Sequence, residues 1–193
     1  MARGVRRAQI AEAALRIIAQ RGVRALTTAA LAEEVGISEA NLYRHFKNKE
    51  EILAETVERI GAGLRENLES AFRSSASPLA RLKKVFQLHL EYIEKNEGIP
   101  RLGFSEEMHI GSKELGEKLL GTITAYRERL EALIKEGKKA GLIKKDIEPH
   151  ASALMVIGMI QVTIFLWSLS GFSFPLMAEG MKMWDNYERC IKA

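Results

Sequence analysis

The chain has 193 residues, of which 47% are hydrophobic and 28% charged, and it carries a single cysteine, Cys190. This balance excludes an intrinsically disordered chain and a disulfide-stapled secreted fold, and the length suits one or two domains.

The net charge of +4 is concentrated at one end, since residues 1–50 hold nine Lys or Arg against five Asp or Glu, while residues 51–193 hold twenty of each. The basic N-terminus has no uninterrupted apolar run typical of a secretion signal. We therefore expect a cytoplasmic protein whose first quarter has an anionic partner, either nucleic acid or a membrane surface.

Helical periodicity begins with residues 7–21, where apolar side chains recur at the spacing of one helix face. Two short helices are predicted next. The first is opened by Thr27 or Thr28 and stopped by Gly36, and the second is opened by Ser38, because Ser and Thr cap helix N-termini and glycine ends helices. Each is about two turns long, so we expect both to depend on packing against longer neighbours.

Longer helices make up the rest of the chain. Asn48 followed by Glu51 is a capping pair that opens a fourth helix, Pro78 suits the first turn of a fifth, and Asp146 is expected to cap a helix further on. The sequence shows no strand alternation of any length and no repeat, so the predicted fold is all-α with about nine helices. The later helices are expected at about 78–95, 101–109, 115–140, 147–170 and 174–191, with a turn over 96–100.

The two short helices have the spacing of a helix-turn-helix. Ala32 is small enough to let the helices approach, Gly36 makes the turn, and Leu42 fills the shared core together with Phe46. A rigid projecting second helix of this kind fits the major groove of DNA, where base edges are read. The side chains left to point outward are those of Ser38, Glu39, Ala40, Asn41, Tyr43 and Arg44.

Basic and hydroxyl-bearing side chains cluster around that projecting helix. Tyr43, His45, Lys47 and Lys49 lie at its end, in the following turn and at the start of the fourth helix, where phosphates would flank the groove. The free N–H groups at the start of the fourth helix add a second source of anion binding. Further candidates for contacting the DNA backbone are Thr27 and Thr28, and a basic arm formed by Arg3, Arg6 and Arg7.

The segment LTTAALAEEVGISEANLYRHFKNKEEIL resembles the DNA-binding signature of the TetR (tetracycline-repressor-like) family of bacterial transcriptional regulators. The threonine that opens helix two, the A-x3-G-x-S and L-Y-x-H-F motifs, and the K-x-x-[IL]-[LF] run all fall at the family spacing. The resemblance implies a DNA-binding domain over residues 1–50 and an effector-binding and dimerisation domain over 51–193. It implies backbone contacts by Thr28, Tyr43, His45 and Lys49, and base reading by Ser38, Glu39, Ala40, Asn41 and Arg44, with Glu39 favouring a cytosine amino group.

The resemblance also implies a homodimer that binds an inverted-repeat operator in double-stranded DNA and pairs its last two helices with those of its twin. The expected effector is a small apolar or amphipathic molecule, such as a fatty acyl compound or a hydrophobic drug, because the pocket has few charges. The predicted interface residues are Leu154, Ile157, Trp167, Met181, Trp184 and Tyr187. The predicted pocket residues are Leu64, Phe86, His89, Tyr92, Phe104, Met108, Ile123, Tyr126 and Phe165.

Three alternatives to a ligand-released repressor follow from the same residues. The stretch Ala151–Leu169 has no Asp, Glu, Lys or Arg and is nearly long enough to span a bilayer, but its polar residues and sparse basic anchors favour a helix buried between two subunits, so no membrane association is expected. No catalytic motif and no metal-ligand spacing is found, so we expect neither an enzyme nor a cofactor or metal. A DNA-bound protein that acts through a protein partner, without a small ligand, is the alternative that stays open.

Overall fold

The computed structural model describes residues 3–73, 77–110 and 113–193, and within these ranges it contains ten α-helices and no strand. The predicted all-α class is confirmed. The count exceeds the predicted nine because residues 98–110, where the end of a turn and one helix were predicted, form two helices. The helices are α1 (Arg3–Arg21), α2 (Thr28–Val35), α3 (Glu39–Tyr43), α4 (Lys49–Phe72), α5 (Pro78–Glu94), α6 (Gly98–Gly103), α7 (Glu106–Ile110), α8 (Lys113–Lys139), α9 (Pro149–Leu169) and α10 (Leu176–Ile191).

At two places the helix boundaries in the structure differ from the predicted ones, and side-chain hydrogen bonds explain both differences. The hydroxyl of Ser105 donates to the carbonyl of Leu102 at 2.7 Å and so occupies the acceptor that a continuous helix would use, which separates α6 from α7. The predicted cap Asp146 is wrong. The carboxylate of Glu148 caps α9 instead, accepting from the first free N–H groups of the helix at 3.0 and 2.6 Å.

The first of two compact units contains Met1–Ala62 and Asn96–Gly121. Its core is the apolar face of α1, which is fully buried at Ile10 and packs with residues of α2, α3 and the start of α4. α6 lies directly against α1, so closely that a Cβ on Gly98 would collide with the carbonyl oxygen of Leu15. The boundary predicted at residue 50 thus falls inside this unit, which joins segments that are distant in sequence.

The second compact unit contains Gly63–Lys95 and Thr122–Ala193. Its centre is formed by α5, α9 and α10, which pack on one another. The rings of Phe86 and Trp184 meet there, with their centroids 5.4 Å apart and their planes tilted by 48°. Both side chains are fully buried, so they contribute to the stability of the unit by removing large apolar surfaces from water.

α9 is apolar around its circumference but buries only one side. Val156, Ile160 and Ile164 on the buried side are at most 3% exposed. By length and composition the helix is also apolar enough to cross a membrane. The opposite side carries six large apolar side chains that are 41–68% exposed, namely Leu154, Met155, Val162, Phe165, Leu166 and Leu169.

Candidate nucleic-acid interface

Side-chain caps fix the start of both short helices. Thr27 Oγ1 accepts a hydrogen bond at 3.1 Å and Ser38 Oγ accepts one at 3.2 Å, each from the N–H three residues further on. Gly36 between the helices has φ 71°, in the left-handed region that glycine adopts without strain. Leu42 is 1% exposed and Phe46 is 2% exposed, as predicted for the shared core. The orientation of α3 is therefore set by the packing and caps of the unit itself.

The residues predicted to read bases lie on the outer side of α3. Tyr43, predicted to contact the backbone, is 53% exposed beside them. An exposed side chain is free to meet a base edge or a phosphate without unfolding any part of the unit. Ser38, Glu39, Ala40 and Arg44 are exposed, and Asn41 is half-buried.

Thr28 and Glu39, the first residues of α2 and α3, are joined by a hydrogen bond. Thr28 Oγ1 donates to Oε2 of Glu39 at 2.7 Å. A threonine hydroxyl has one proton to donate, so in this arrangement the carboxylate holds the donor that was predicted to meet a phosphate. The Thr27 hydroxyl only accepts in its capping bond. Its proton is therefore not used by that bond and is available for a phosphate.

The two lysines predicted to bind phosphates, Lys47 and Lys49, lie in the turn before α4 and at the first residue of α4. Asn48 Oδ1 accepts from the N–H of Glu51 at 2.9 Å, which is one half of the predicted capping pair. The Glu51 carboxylate accepts from the N–H of Lys47 at 2.7 Å, one residue before Asn48. The side chain of Lys47 is exposed and that of Lys49, the first residue of α4, is half-buried. The Lys47 amide and the Arg7 guanidinium hold the pKa of Glu51 below its ordinary value.

Arg7 secures this turn from α1. Its guanidinium donates to Glu55 at 2.8 Å and to Glu51 at 3.1 Å, donates to a backbone carbonyl of the turn at 2.7 Å, and lies 4.1 Å from the ring centroid of Phe46. These partners are more than 35 residues away, so no local pattern in the sequence pointed to them. The prediction of a basic arm is wrong in form, because its members Arg3, Arg6 and Arg7 lie within α1.

A cleft of about 540 Å³ lies beside the same turn, within the first unit. Its lining carries charges of both signs, which suits polar or ionic contacts and not the apolar effector predicted from the sequence. None of the predicted pocket residues lines it. The lining residues are Arg7, Lys47, Asn48, Glu50, Glu51, Ala54, Glu55, Glu58, Leu115 and Lys118.

The predicted pocket residues are divided between the two units. Phe104 and Met108 belong to the first unit, where Met108 is buried in the core and Phe104 is 38% exposed. In the second unit Phe86 is fully buried, while Ile123 and Phe165 are 40% and 41% exposed. The remaining members, all in the second unit, are Leu64, His89, Tyr92 and Tyr126.

The polar side chains of His89 and Tyr126 meet in the largely apolar second unit. His89 Nδ1 lies 3.0 Å from the hydroxyl of Tyr126, and the two rings meet edge to face with centroids 5.4 Å apart. Burial lowers the pKa of His89 to about 4 and raises the pKa of Tyr126. Both side chains are therefore neutral near neutral pH, and each can donate or accept a hydrogen bond.

Three of the predicted dimer-interface residues are corrected by their burial within the chain. Trp184 is fully buried and Trp167 and Tyr187 are 3% and 4% exposed, so their side chains have almost no surface to offer a partner. Tyr187 instead bonds to the Ser152 hydroxyl at 2.5 Å. Of the other three, Leu154 is exposed, whereas Ile157 and Met181 are half-buried.

Two family models match the chain. Residues 10–56 match the model described as "Bacterial regulatory proteins, tetR family", and residues 75–168 match "Tetracyclin repressor-like, C-terminal domain". The first match includes every predicted DNA-contact residue from Thr27 to Lys49. The second match lies beyond the segment whose motifs carried the resemblance in the sequence.

Individual relatives span nearly the whole chain. A nucleoid occlusion factor SlmA from Marinomonas sp. (strain MWYL1) is 31% identical over 183 residues, covering 93% of this chain and 91% of the relative. A fatty acid metabolism regulator protein from Bacillus subtilis (strain 168) is 24% identical over 170 residues, covering 88% and 87%. The fold is similar to that of the transcriptional regulator FadR from Bacillus subtilis in complex with stearoyl-CoA, with a TM-score of 0.81, 23% identity, and 93% of this chain and 96% of that chain covered.

Proposed function

The chain belongs to the TetR family of bacterial regulatory proteins and is a DNA-binding transcriptional regulator, and from this premise we propose that it is a homodimeric repressor released from its operator by a long-chain acyl effector. We infer a long-chain acyl effector because the chain is similar to a fatty acid metabolism regulator and to the fold of a regulator solved with stearoyl-CoA. The proposal includes no catalytic step. A protein acting on the chromosome is proposed to reside in the cytoplasm or nucleoid.

In the proposed complex α3 enters the major groove and the flanking turns bind phosphates. The exposure of α3 and the lysines at the start of α4 support this orientation, because phosphate contacts fix register while base contacts give sequence preference. Backbone contacts are proposed for Thr27, Thr28, Tyr43, His45, Lys47 and Lys49, and base contacts for Ser38, Glu39, Ala40, Asn41 and Arg44.

The exposed side of α9 is the proposed contact with a second copy of the chain. Its six large apolar side chains form a face that water solvates poorly, and monomeric soluble proteins rarely leave large contiguous faces of this kind uncovered. Pairing through a two-fold axis would place two equivalent α3 helices on DNA, so the operator is proposed to be an inverted repeat.

The proposed acyl site lies in the second unit, at the pair formed by buried His89 and half-buried Tyr126. Neutral hydrogen-bonding groups within an apolar interior suit an amphipathic ligand, since they can bond a carbonyl while the apolar surroundings contact an acyl chain. Phe86, buried one helical turn before His89 on α5, supports the apolar character of the site.

The test is a titration of operator-bound protein with stearoyl-CoA, with stearate and with coenzyme A alone, followed by fluorescence anisotropy of the DNA. We expect stearoyl-CoA to release the DNA and coenzyme A to leave it bound, because only the acyl chain fits an apolar site. By linkage the operator should weaken binding of stearoyl-CoA by the same factor, about 5–150-fold. The inducible function fails if no acyl compound releases DNA and native mass spectrometry of the purified protein finds no apolar ligand.

A second function is favoured by a separate observation, the 31% identity with a nucleoid occlusion factor along almost the whole chain. In this alternative the DNA-bound protein acts through a protein partner and has no small ligand. It predicts that acyl compounds leave both the DNA affinity and the thermal stability of the protein unchanged, which the same titration detects.

A further inference from the structure

The hydrogen bond between Thr28 and Glu39 joins two residues with separate proposed tasks on DNA. Thr28 is proposed to meet a phosphate and Glu39 to meet a base, yet in the free protein the Thr28 hydroxyl donates to the Glu39 carboxylate at 2.7 Å. Because the hydroxyl has a single proton, it cannot serve the carboxylate and a phosphate at the same time. One of the two bonds must be given up when DNA binds.

The electrostatics of the pair make that exchange costly unless the carboxylate gains a new donor. An ionised carboxylate is only an acceptor, and Glu39 is exposed on the side of α3 that faces outward. A phosphate that approaches Thr28 also approaches this negative charge, and like charges repel at such distances. A carboxylate that lost Thr28 without a replacement would enter the interface with an unmet acceptor.

The major groove offers a replacement donor at only some bases. Cytosine presents its N4 amino group, whereas guanine and thymine present acceptors at the corresponding edge. Adenine presents an N6 amino group beside its N7 acceptor, and that acceptor disfavours a carboxylate. With cytosine opposite it, the Glu39 carboxylate can accept from the amino group, and the Thr28 hydroxyl is then free to turn to the phosphate. With guanine or thymine there, the carboxylate keeps its bond to Thr28.

We propose that Glu39 makes the phosphate contact of Thr28 conditional on cytosine at one position of each operator half-site. Glu39 thereby acts as a specificity-determining residue that links base identity to backbone affinity. The inference rests on the proposed placement of α3 in the major groove and adds to it a coupling between two side chains.

The experiment uses a duplex that the wild-type chain selects from a random pool, and a second duplex in which the selected cytosine is exchanged for guanine. Binding of both is measured for Thr28→Val, Glu39→Ala and the double variant. In the wild-type background we expect Thr28→Val to weaken the cytosine duplex by about tenfold, the range of one good polar contact, and to leave the guanine duplex unchanged. In the Glu39→Ala background Thr28→Val should weaken both duplexes equally, within about twofold.

Two further variants separate this coupling from loss of structure or of charge. Thr28→Ser keeps the hydroxyl and should restore the difference between the cytosine and guanine duplexes that Thr28→Val removes. Glu33→Ala removes an exposed carboxylate from α2 and should retain the cytosine preference. Glu39→Ala removes the one on α3, and it should lose the cytosine preference and bind unselected DNA more tightly.

Equal weakening of both duplexes by Thr28→Val in the wild-type background would overturn the coupling, and an unchanged cytosine preference in Glu39→Ala would overturn the base contact. In both cases the wild-type chain still binds its operator, so the proposed function is not affected. A wild-type chain that selects no sequence at all would overturn the placement of α3, and the inference with it.

Discussion

At the scale of single residues, Lys49 offers the most direct test of the DNA-facing surface. It is the first residue of α4, where the helix dipole adds to its own charge at the proposed phosphate site. We expect Lys49→Ala to weaken binding to all sequences alike and to reduce the slope of log K against log salt by about one per subunit, because one counterion fewer is released. The measurement is a set of binding isotherms over a range of salt concentrations.

Lys145 provides the matched control for that experiment. It is an exposed lysine of the second unit, so Lys145→Ala changes the net charge equally but removes no proposed phosphate contact. A salt slope that Lys49→Ala leaves unchanged would remove Lys49 from the set of phosphate-binding residues.

Glu51 gives a prediction about the pH dependence of stability. The amide of Lys47 and the guanidinium of Arg7 lower its pKa from the ordinary 4.5, so the folded state binds a proton less readily than the unfolded state. Its stabilising contribution is therefore complete above about pH 4.5 and is lost as the pH falls through the lower, folded value. We expect Glu51→Gln to reduce the free energy of unfolding near neutral pH and to approach wild type at an acid pH below the folded value, as measured by urea unfolding.

The neighbouring carboxylate serves as the comparison for Glu51. Glu50 is exposed, and Glu50→Gln should change the free energy of unfolding much less near neutral pH. An equal loss of stability in Glu51→Gln at both pH values would contradict the assignment, because a charge-dependent contribution must disappear when the carboxyl is protonated.

At the scale of whole helices, the contact between α6 and α1 depends on the absence of a side chain at Gly98. A Cβ there would collide with the carbonyl oxygen of Leu15, and helix backbone cannot give way as a flexible side chain can. We expect Gly98→Ala to lower the free energy of unfolding by about 1–3 kcal/mol, the usual range for overpacking. Gly103→Ala on the same helix has open space around it and should change the free energy by no more than a few tenths of a kcal/mol.

A result in which Gly98→Ala and Gly103→Ala have equal effects would mean that α6 can move away from α1 at little cost. Thermal unfolding of the two variants under identical conditions decides between these outcomes.

Helix starts and stops were largely predictable from the sequence, because caps are local. Thr27, Ser38 and Gly36 act as expected, since each bond or dihedral depends on residues within one turn. The arrangement of Arg7 was not predictable, because its carboxylate partners are 44 and 48 residues away. The side of α9 left exposed was equally hidden, since a helix that is apolar all round gives no periodicity to choose between its faces.

Trp184 and Tyr187, two of the three predicted interface residues on α10, were misassigned for a related reason. Large aromatic side chains such as Trp184 suit a subunit interface and a chain's own core equally well, and only the packing of α5 against α10 shows that Trp184 is internal. Size and polarity alone could not separate the two environments.

At the scale of the whole molecule, the exposed side of α9 predicts the oligomeric state. Leu166 on this side is 53% exposed, so Leu166→Lys should leave each chain folded while adding a charge that must be desolvated on pairing. We expect a dimer for the wild type and a monomer for this variant by sedimentation equilibrium. Operator affinity should fall in parallel, because two linked α3 helices bind far better than one.

Gln20→Lys, at an exposed site on α1, is the control and should remain dimeric. If Leu166→Lys retains the wild-type dissociation constant, the subunits pair through another surface. A wild-type chain that is monomeric at all concentrations would contradict the homodimer itself.

The composition of the first unit has a consequence for how the protein is made. α1 to α3 leave the ribosome early, but α6, which covers part of α1, belongs to a segment that ends only at residue 121. At about 5–20 residues per second, residues 63–121 take roughly 3–12 s to synthesise. For that time the nascent DNA-binding region displays an uncovered apolar strip, which is the kind of surface that chaperones bind. This unit is thus complete only when the chain has been translated to residue 121, which is well over half of the protein.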